Sequence, residues 1–388
     1  MPRRGRCART DGSRAGLRGR RCAGSPPTAP PRAAPPRARC CALPPRRGRP
    51  RCDAGSWRAV TCLWSISELS VEIFLAAIWL PTLDRMTSAP DLASTRSALM
   101  QRLLPDGVPT LWCPLLTHYD DAGRIDFERI RHQIDFLAPS VRGFLIPGST
   151  GDGWQLSDEQ TQELLAGVVE MAVARRLSLL IGVLKPTGAA MHEAMARTMR
   201  WLHERAGSDD PLTALCSASV AGFTWCAPHG AALTQGDISD TLDSLLATGL
   251  PASLYQLPQV TGNRIEPQTV QALAARHANL LMLKDTSGED RVADSGLEGL
   301  FLVRGAEGGY SRHLKLGGGR YDGFLLSTAN SFGPQLAELI DHLRGGRQAE
   351  ADALSARLEG TVNEVFAAAA PLPYGNAFTN ANKAIDHF

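Results

Sequence analysis

The sequence predicts an α/β protein: a (β/α)8 TIM barrel with extra C-terminal helices. Three observations predict it. Eight short apolar runs recur between residues 108 and 343. Amphipathic helical patterns separate most of them. The span of 236 residues is that of the usual eight-unit barrel.

The runs are, in order, Val108–Leu116, Gly143–Gly148, Ser178–Leu184, Gly222–Pro228, Ala252–Pro258, Leu280–Lys284, Leu300–Arg304 and Gly323–Ser327. They are dense in Val, Leu, Ile and Phe, as strands buried on both faces require. Asp126–Leu137 places Phe127, Ile130, Ile134 and Leu137 on one helical face. Ser157 is the expected cap of a helix over Glu159–Ala174. Met191–Glu204, Ile238–Ala247, Pro267–Ala275 and Gly333–Leu343 continue the alternation. Two more helical patterns, 347–366 and 376–387, follow the barrel. Gly207–Ala221 breaks the rhythm and reads as a surface insertion. An open doubly wound sheet would want a glycine-rich turn after the first strand, and Leu115-Leu-Thr-His-Tyr-Asp120 lacks one.

The net charge of +2 hides two unlike pieces. Residues 1–60 hold 16 Arg, no Lys and only two acids, Asp11 and Asp53. Ten prolines and no hydrophobic period leave that stretch without a packed core. It reads either as a basic or import tail or as translated upstream sequence. The character changes at Met86, which is the expected start. The organisation expected is a disordered Arg/Pro-rich extension over 1–85, a lead-in over 86–107, the barrel over 108–343 and helices over 344–388.

Residues 86–388 hold 24 basic against 34 acidic side chains, which argues against a nucleic-acid partner. No run of about 18 uncharged apolar residues occurs, so no membrane span is expected. Cys113, Cys216 and Cys226 lack CxxC spacing and read as reduced, buried thiols of a cytoplasmic protein. No ligand-spaced cluster lies at the strand ends, so no metal or other cofactor is expected.

In such a barrel the chemistry sits at the carboxyl ends of the strands. Lysine is informative there, because the chain has four lysines, at 185, 284, 315 and 383, against 37 arginines. Lys284 closes the run Leu280-Leu-Met-Leu-Lys284. A poorly solvated amine favours its neutral form, which attacks a carbonyl to give an imine. The other reading is a strand-end ion pair with Asp285. Lys185, followed by Pro186, reads as an exposed loop lysine. Gly148-Ser149-Thr150-Gly151-Asp152 offers hydroxyls and amides suited to a carboxylate, or is an ordinary strand-to-helix turn. Tyr255 is a proton carrier if it lies near Lys284, and otherwise core.

These pieces together resemble a known family. The motif GSTGD at 148–152, Tyr255-Gln-Leu-Pro258 with Thr261-Gly262, Leu283-Lys284-Asp285 and Gly323-Phe-Leu-Leu-Ser-Thr-Ala-Asn330 look like the dihydrodipicolinate synthase and N-acetylneuraminate lyase family. The likeness covers about 108–388. It implies a class I lyase or aldolase acting on a 2-oxo acid such as pyruvate. Lys284 would form the imine, and Gly148, Ser149 and Thr150 would hold the carboxylate. Ser149 would also join Tyr255 in moving protons. Glu307 and Ser327 match substrate-binding positions of the lyase branch. A homotetramer or homodimer is implied.

The departures narrow the expectation. The synthase branch carries an Arg five residues after its strand-five Tyr, and this chain has Val260. The synthase branch places a Tyr-Tyr pair after strand four, and this chain has His229-Gly230. Ser149 stands where the synthases prefer Thr. The synthase proper is thus the second expectation, and a non-catalytic barrel that binds an oxo acid or sugar acid is the third. His229 either replaces a relay hydroxyl or is a surface loop residue.

Overall fold

The computed structural model describes residues 91–373 and 375–387. The expectations for the Arg-rich extension and for a start at Met86 lie outside the described residues. Eight strands run β1 Leu111–Pro114, β2 Gly143–Ile146, β3 Ser178–Gly182, β4 Val220–Cys226, β5 Ala252–Gln256, β6 Leu280–Asp285, β7 Phe301–Arg304 and β8 Gly323–Leu325. All pairs are parallel and consecutive, and β1 pairs with β8 through Leu111 opposite Phe324, closing the barrel. Nearly every strand residue is buried, which is why the runs read as continuously apolar rather than alternating. Trp112, Phe144, Phe223, Trp225 and Phe324 are fully buried.

The helices begin where polar caps stop the chain from extending. Asp126 accepts from the amides of Glu128 and Arg129 ahead of Phe127–Leu137. Ser157 and Gln160 form a reciprocal capping box ahead of Asp158–Arg175, and Thr234 and Asp237 do so ahead of Gln235–Leu246. The last barrel helix, Ala329–Arg344, starts one turn earlier than Gly333. It is kinked at Phe332, two residues before Pro334, so its first turn lies outside the regular pattern. Gln348–Ala369 packs on it, and Ala377–His387 packs on both.

Two expectations are corrected, and the lead-in gains a helix. Gly207–Ala221 is not a surface insertion. Asp210 caps a helix over Pro211–Ser217 that buries Ala214 and Leu215 against the preceding helix and β4, and β4 itself starts at Val220. The lead-in holds a helix, Leu92–Leu103, whose Arg96 is buried. Cys216 is exposed, unlike Cys113 and Cys226. Among the described residues no helix is long and apolar enough to cross a membrane.

Candidate active site

Tyr255 and Lys284 are register partners on β5 and β6. Side chains alternate along a strand, so Lys284 and Asp285 face opposite ways. Lys284 is 3 % exposed, and its Nζ lies 4.0 Å from the centroid of the Tyr255 ring. A cation over an aromatic face is attracted by the ring quadrupole. Asp285 is not its counter-ion. One Asp285 oxygen accepts from the Ser287 amide (2.9 Å) and hydroxyl (2.6 Å), and the other accepts from the Tyr321 hydroxyl (3.3 Å). Burial raises the Asp285 carboxyl above its ordinary range. Gly305 on the β7 side leaves room for the lysine stem, because a Cβ there would meet Lys284 Cε at 2.8 Å and collide with Thr286 Oγ1.

Two buried thiols feel the Lys284 charge. Burial pushes both Cys113 and Cys226 up, more than that charge lowers them. They are protonated lining, not nucleophiles. Leu184, Cys226, Tyr255 and Leu257 form a small apolar cluster, on which Trp154 packs.

The GSTGD turn follows β2. The amides of Gly151 and Gly153 both donate to the Gly148 carbonyl, at 3.1 and 3.0 Å. A side chain at Gly151 would strike the Leu115 carbonyl oxygen. The Ser149 hydroxyl accepts from Trp154 Nε1 at 2.9 Å. The C-terminal helix grips the turn from outside. Thr379 Oγ1 donates to the Thr150 carbonyl at 2.9 Å and lies 3.3 Å from that of Ser149. Lys383 Nζ pairs with Asp152 at 2.7 Å, where Asp152 has a left-handed φ of 59°.

Glu307 and Ser327 are brought together. The Glu307 carboxylate accepts from the hydroxyls of Ser327 (2.7 Å), Thr328 (2.6 Å) and Tyr310 (3.0 Å) and from the Thr328 amide (3.1 Å). Burial and this carboxylate raise the Tyr310 hydroxyl well above its ordinary range.

The ends of β3 and β4 differ from expectation in one respect. Lys185 is half-buried, not an exposed loop lysine, and pairs with Asp158 at 2.8 Å, which Arg197 also holds. His229 is half-buried, with its ring 4.7 Å from that of Trp154. Sequence reasoning missed Trp154, Thr286, Thr379 and Lys383. The available signal was a Trp directly after the glycine turn and the scarcity of lysine, which also marked Lys383. A cleft of about 650 Å3 opens at the opposite end, near Thr110, Arg142 and Arg344. That amino-terminal face is the stabilising one in this architecture.

A closed parallel barrel with helices between its strands is a (β/α)8 barrel, and this one sets a buried lysine and tyrosine side by side at the carboxyl ends of adjoining strands. The chain belongs to the dihydrodipicolinate synthetase family, which matches residues 109–381. It is similar in fold to YagE, a prophage protein of the dihydrodipicolinic acid synthase family from E. coli K12 solved in complex with pyruvate. That pair has 21% identity and a TM-score of 0.58 over 72% of this chain and 87% of the other. Dihydrodipicolinate synthase from Aquifex aeolicus gives 18% identity and a TM-score of 0.55 over 72% and 96%. The enzyme from Cyanidioschyzon merolae, solved with lysine bound, gives 18% and 0.56 over 71% and 95%. Family membership supports an aldolase-like lyase.

Proposed function

We propose that this protein is a class I lyase that forms an imine between Lys284 and a 2-oxo acid such as pyruvate. The observation that carries this is the Lys284 amine, buried and set 4.0 Å over the Tyr255 ring, on the strand next to it. The Lys284 amine is the nucleophile that attacks the keto carbon. Water then leaves, and the protonated imine draws the electron pair of the adjacent carbon–carbon bond toward itself. Tyr255 passes protons at the reacting carbon and to the departing water.

Ser149 and Thr150 hold the 2-oxo acid carboxylate. Trp154 already occupies an acceptor site of the Ser149 hydroxyl, so the hydroxyl hydrogen remains to be donated. Glu307 and Ser327 border the site from the β7 and β8 side. The Glu307 carboxylate has four protein donors, so it acts there chiefly by charge and by holding Ser327. A partner other than the carboxylate-bearing aldehyde of the synthase proper is favoured, because Val260 offers no bidentate grip for a second carboxylate. The protein is expected to act as a cytoplasmic homo-oligomer on small molecules.

Borohydride reduction in the presence of pyruvate tests this. One pyruvate-derived mass is expected, on the peptide that contains Lys284. A label on Lys185, or no label, overturns the proposal.

A further inference from the structure

The end of β4 carries a histidine that nothing in the imine chemistry uses. The His229 amide donates to the Pro186 carbonyl at 2.9 Å, which fixes the backbone. Its ring lies against Trp154, with centroids 4.7 Å apart and planes tilted by 48°. Trp154 in turn packs on the cluster that contains Tyr255 and donates to the Ser149 hydroxyl. One indole thus joins the carboxylate turn, the tyrosine and the histidine.

His229 Nε2 is buried and has no hydrogen-bond partner. Buried polar atoms are almost always paired, so an unpaired one needs an explanation. Burial also holds this imidazole below its ordinary pKa, and no charged group is among the causes of that shift. The ring is therefore neutral near pH 7, able to take a proton.

The charges around the mouth leave little for an anion. Lys185 is paired with Asp158, Lys383 with Asp152, and Arg264 with Glu289. Val260, on the short helix Pro258–Thr261 beyond β5, exposes 42 % of its surface. Neither Trp154 nor Val260 adds a charge that could hold a second carboxylate.

We propose, building on the imine at Lys284, that Trp154 and His229 seat the second substrate, an uncharged aldehyde with an aromatic or apolar body, and that His229 Nε2 exchanges the proton of its oxygen. In cleavage, Nε2 takes the proton of the adduct's hydroxyl. The O–H bond breaks, the C=O bond forms, and the pair of the breaking carbon–carbon bond moves into the protonated imine to give an enamine. The aldehyde leaves. The enamine carbon is then protonated, and water releases the 2-oxo acid from Lys284. In condensation, protonated His229 returns the proton as the enamine carbon attacks.

The test uses the full chain with pyruvate and three aldehydes: benzaldehyde, butanal and aspartate semialdehyde. The uncharged aldehydes are expected to exceed aspartate semialdehyde in kcat/KM by about tenfold or more, for want of a cationic grip. His229→Gln is expected to lower kcat with benzaldehyde by about tenfold or more. Trp154→Leu is expected to raise the KM for benzaldehyde more than it lowers kcat. Borohydride trapping of pyruvate on Lys284 should persist in His229→Gln, which also shows that this variant folds. Preference for aspartate semialdehyde, turnover of none of the uncharged aldehydes, or a smaller kcat effect in His229→Gln overturns the inference while trapping leaves the imine intact. Loss of trapping in the unaltered protein overturns the imine reading instead.

Discussion

Lys185 and Lys284 stand at the mouths of β3 and β6, yet their surroundings differ in kind. Lys185 is half-buried and meets a carboxylate at 2.8 Å, and that carboxylate also holds Arg197. Lys284 is almost fully buried, lies over an aromatic face, and acts through its charge on two buried thiols. A carboxylate partner stabilises an ammonium and holds its proton. Lys284 has an aromatic face where Lys185 has a carboxylate. The contrast teaches that two strand-end lysines of one barrel are told apart by what each meets, an ion pair in one case and an aromatic face in the other.

The sharpest way to break this contrast is to exchange the two positions for inert residues. Lys284→Arg keeps charge and bulk but cannot form an imine. Turnover of any 2-oxo acid adduct should fall by about 10³-fold or more, as expected when the nucleophile itself is lost. Lys185→Ala removes a partly exposed ion pair of small worth, so activity should stay within about threefold. Near-normal turnover in Lys284→Arg, or a collapse in Lys185→Ala, would reverse the assignment.

The partner of Lys284 sharpens the same contrast. Tyr255→Phe keeps the ring under Nζ and removes only the hydroxyl. Removing a proton carrier should lower kcat by about 10²–10⁴-fold while the pyruvate imine still forms on reduction. If kcat stayed within about threefold of that of the unaltered protein, the tyrosine would serve packing instead.

Much of this was legible in the sequence for one physical reason. Strands buried on both faces are continuously apolar, so a lysine that ends such a run stands out, as Lys284 does. What was not legible involved polar groups in buried places or partners far apart in the chain. The helix Leu92–Leu103 buries an arginine, and Arg96 donates to the carbonyls of Leu280, Ala274 and His277 at 2.7, 2.7 and 3.1 Å. Hydrophobic periodicity cannot register a charged residue at a core position. The helix Pro211–Ser217 is too short for a period, and only Asp210 as cap and Pro211 at its first turn announced it. Glu307 and Ser327 came from family likeness alone. Their mutual hydrogen bond spans 20 residues and has no local signature.

The clamp on the GSTGD turn was out of reach for the same reason, since Thr379 and Thr150 are 229 residues apart. It distinguishes this turn from the β3 mouth, which is held by surface ion pairs. Thr379→Val keeps the shape and removes the donor. A net hydrogen bond of this kind contributes about 0.5–1.5 kcal/mol. The apparent KM for pyruvate should rise by about threefold to tenfold with kcat less affected, because the loss loosens the carboxylate turn and not the imine lysine. An unchanged KM would mean that the turn holds its shape without the C-terminal helix.

The same helix end supplies the smallest effect and a test by pH. His118 is buried, with Nε2 3.1 Å from Gln133 Oε1 and 3.8 Å from Asp386 Oδ2. Burial lowers its pKa below 6.5, and the Asp386 charge opposes that without reversing it. In the window between the folded value and 6.5, the unfolded chain binds more protons than the folded one, so stability falls as pH drops through that window. Above 6.5 the contribution is fully present. His118→Gln should therefore lose less Tm between pH 7.5 and 5.5 than the unaltered protein does. Asp386→Asn should lose more, because removing the carboxylate lowers the His118 pKa further. Comparing each variant with itself at two pH values cancels the cost of the substitution. Equal Tm losses in all three proteins would mean that His118 carries no proton linkage and that acid acts elsewhere in the barrel.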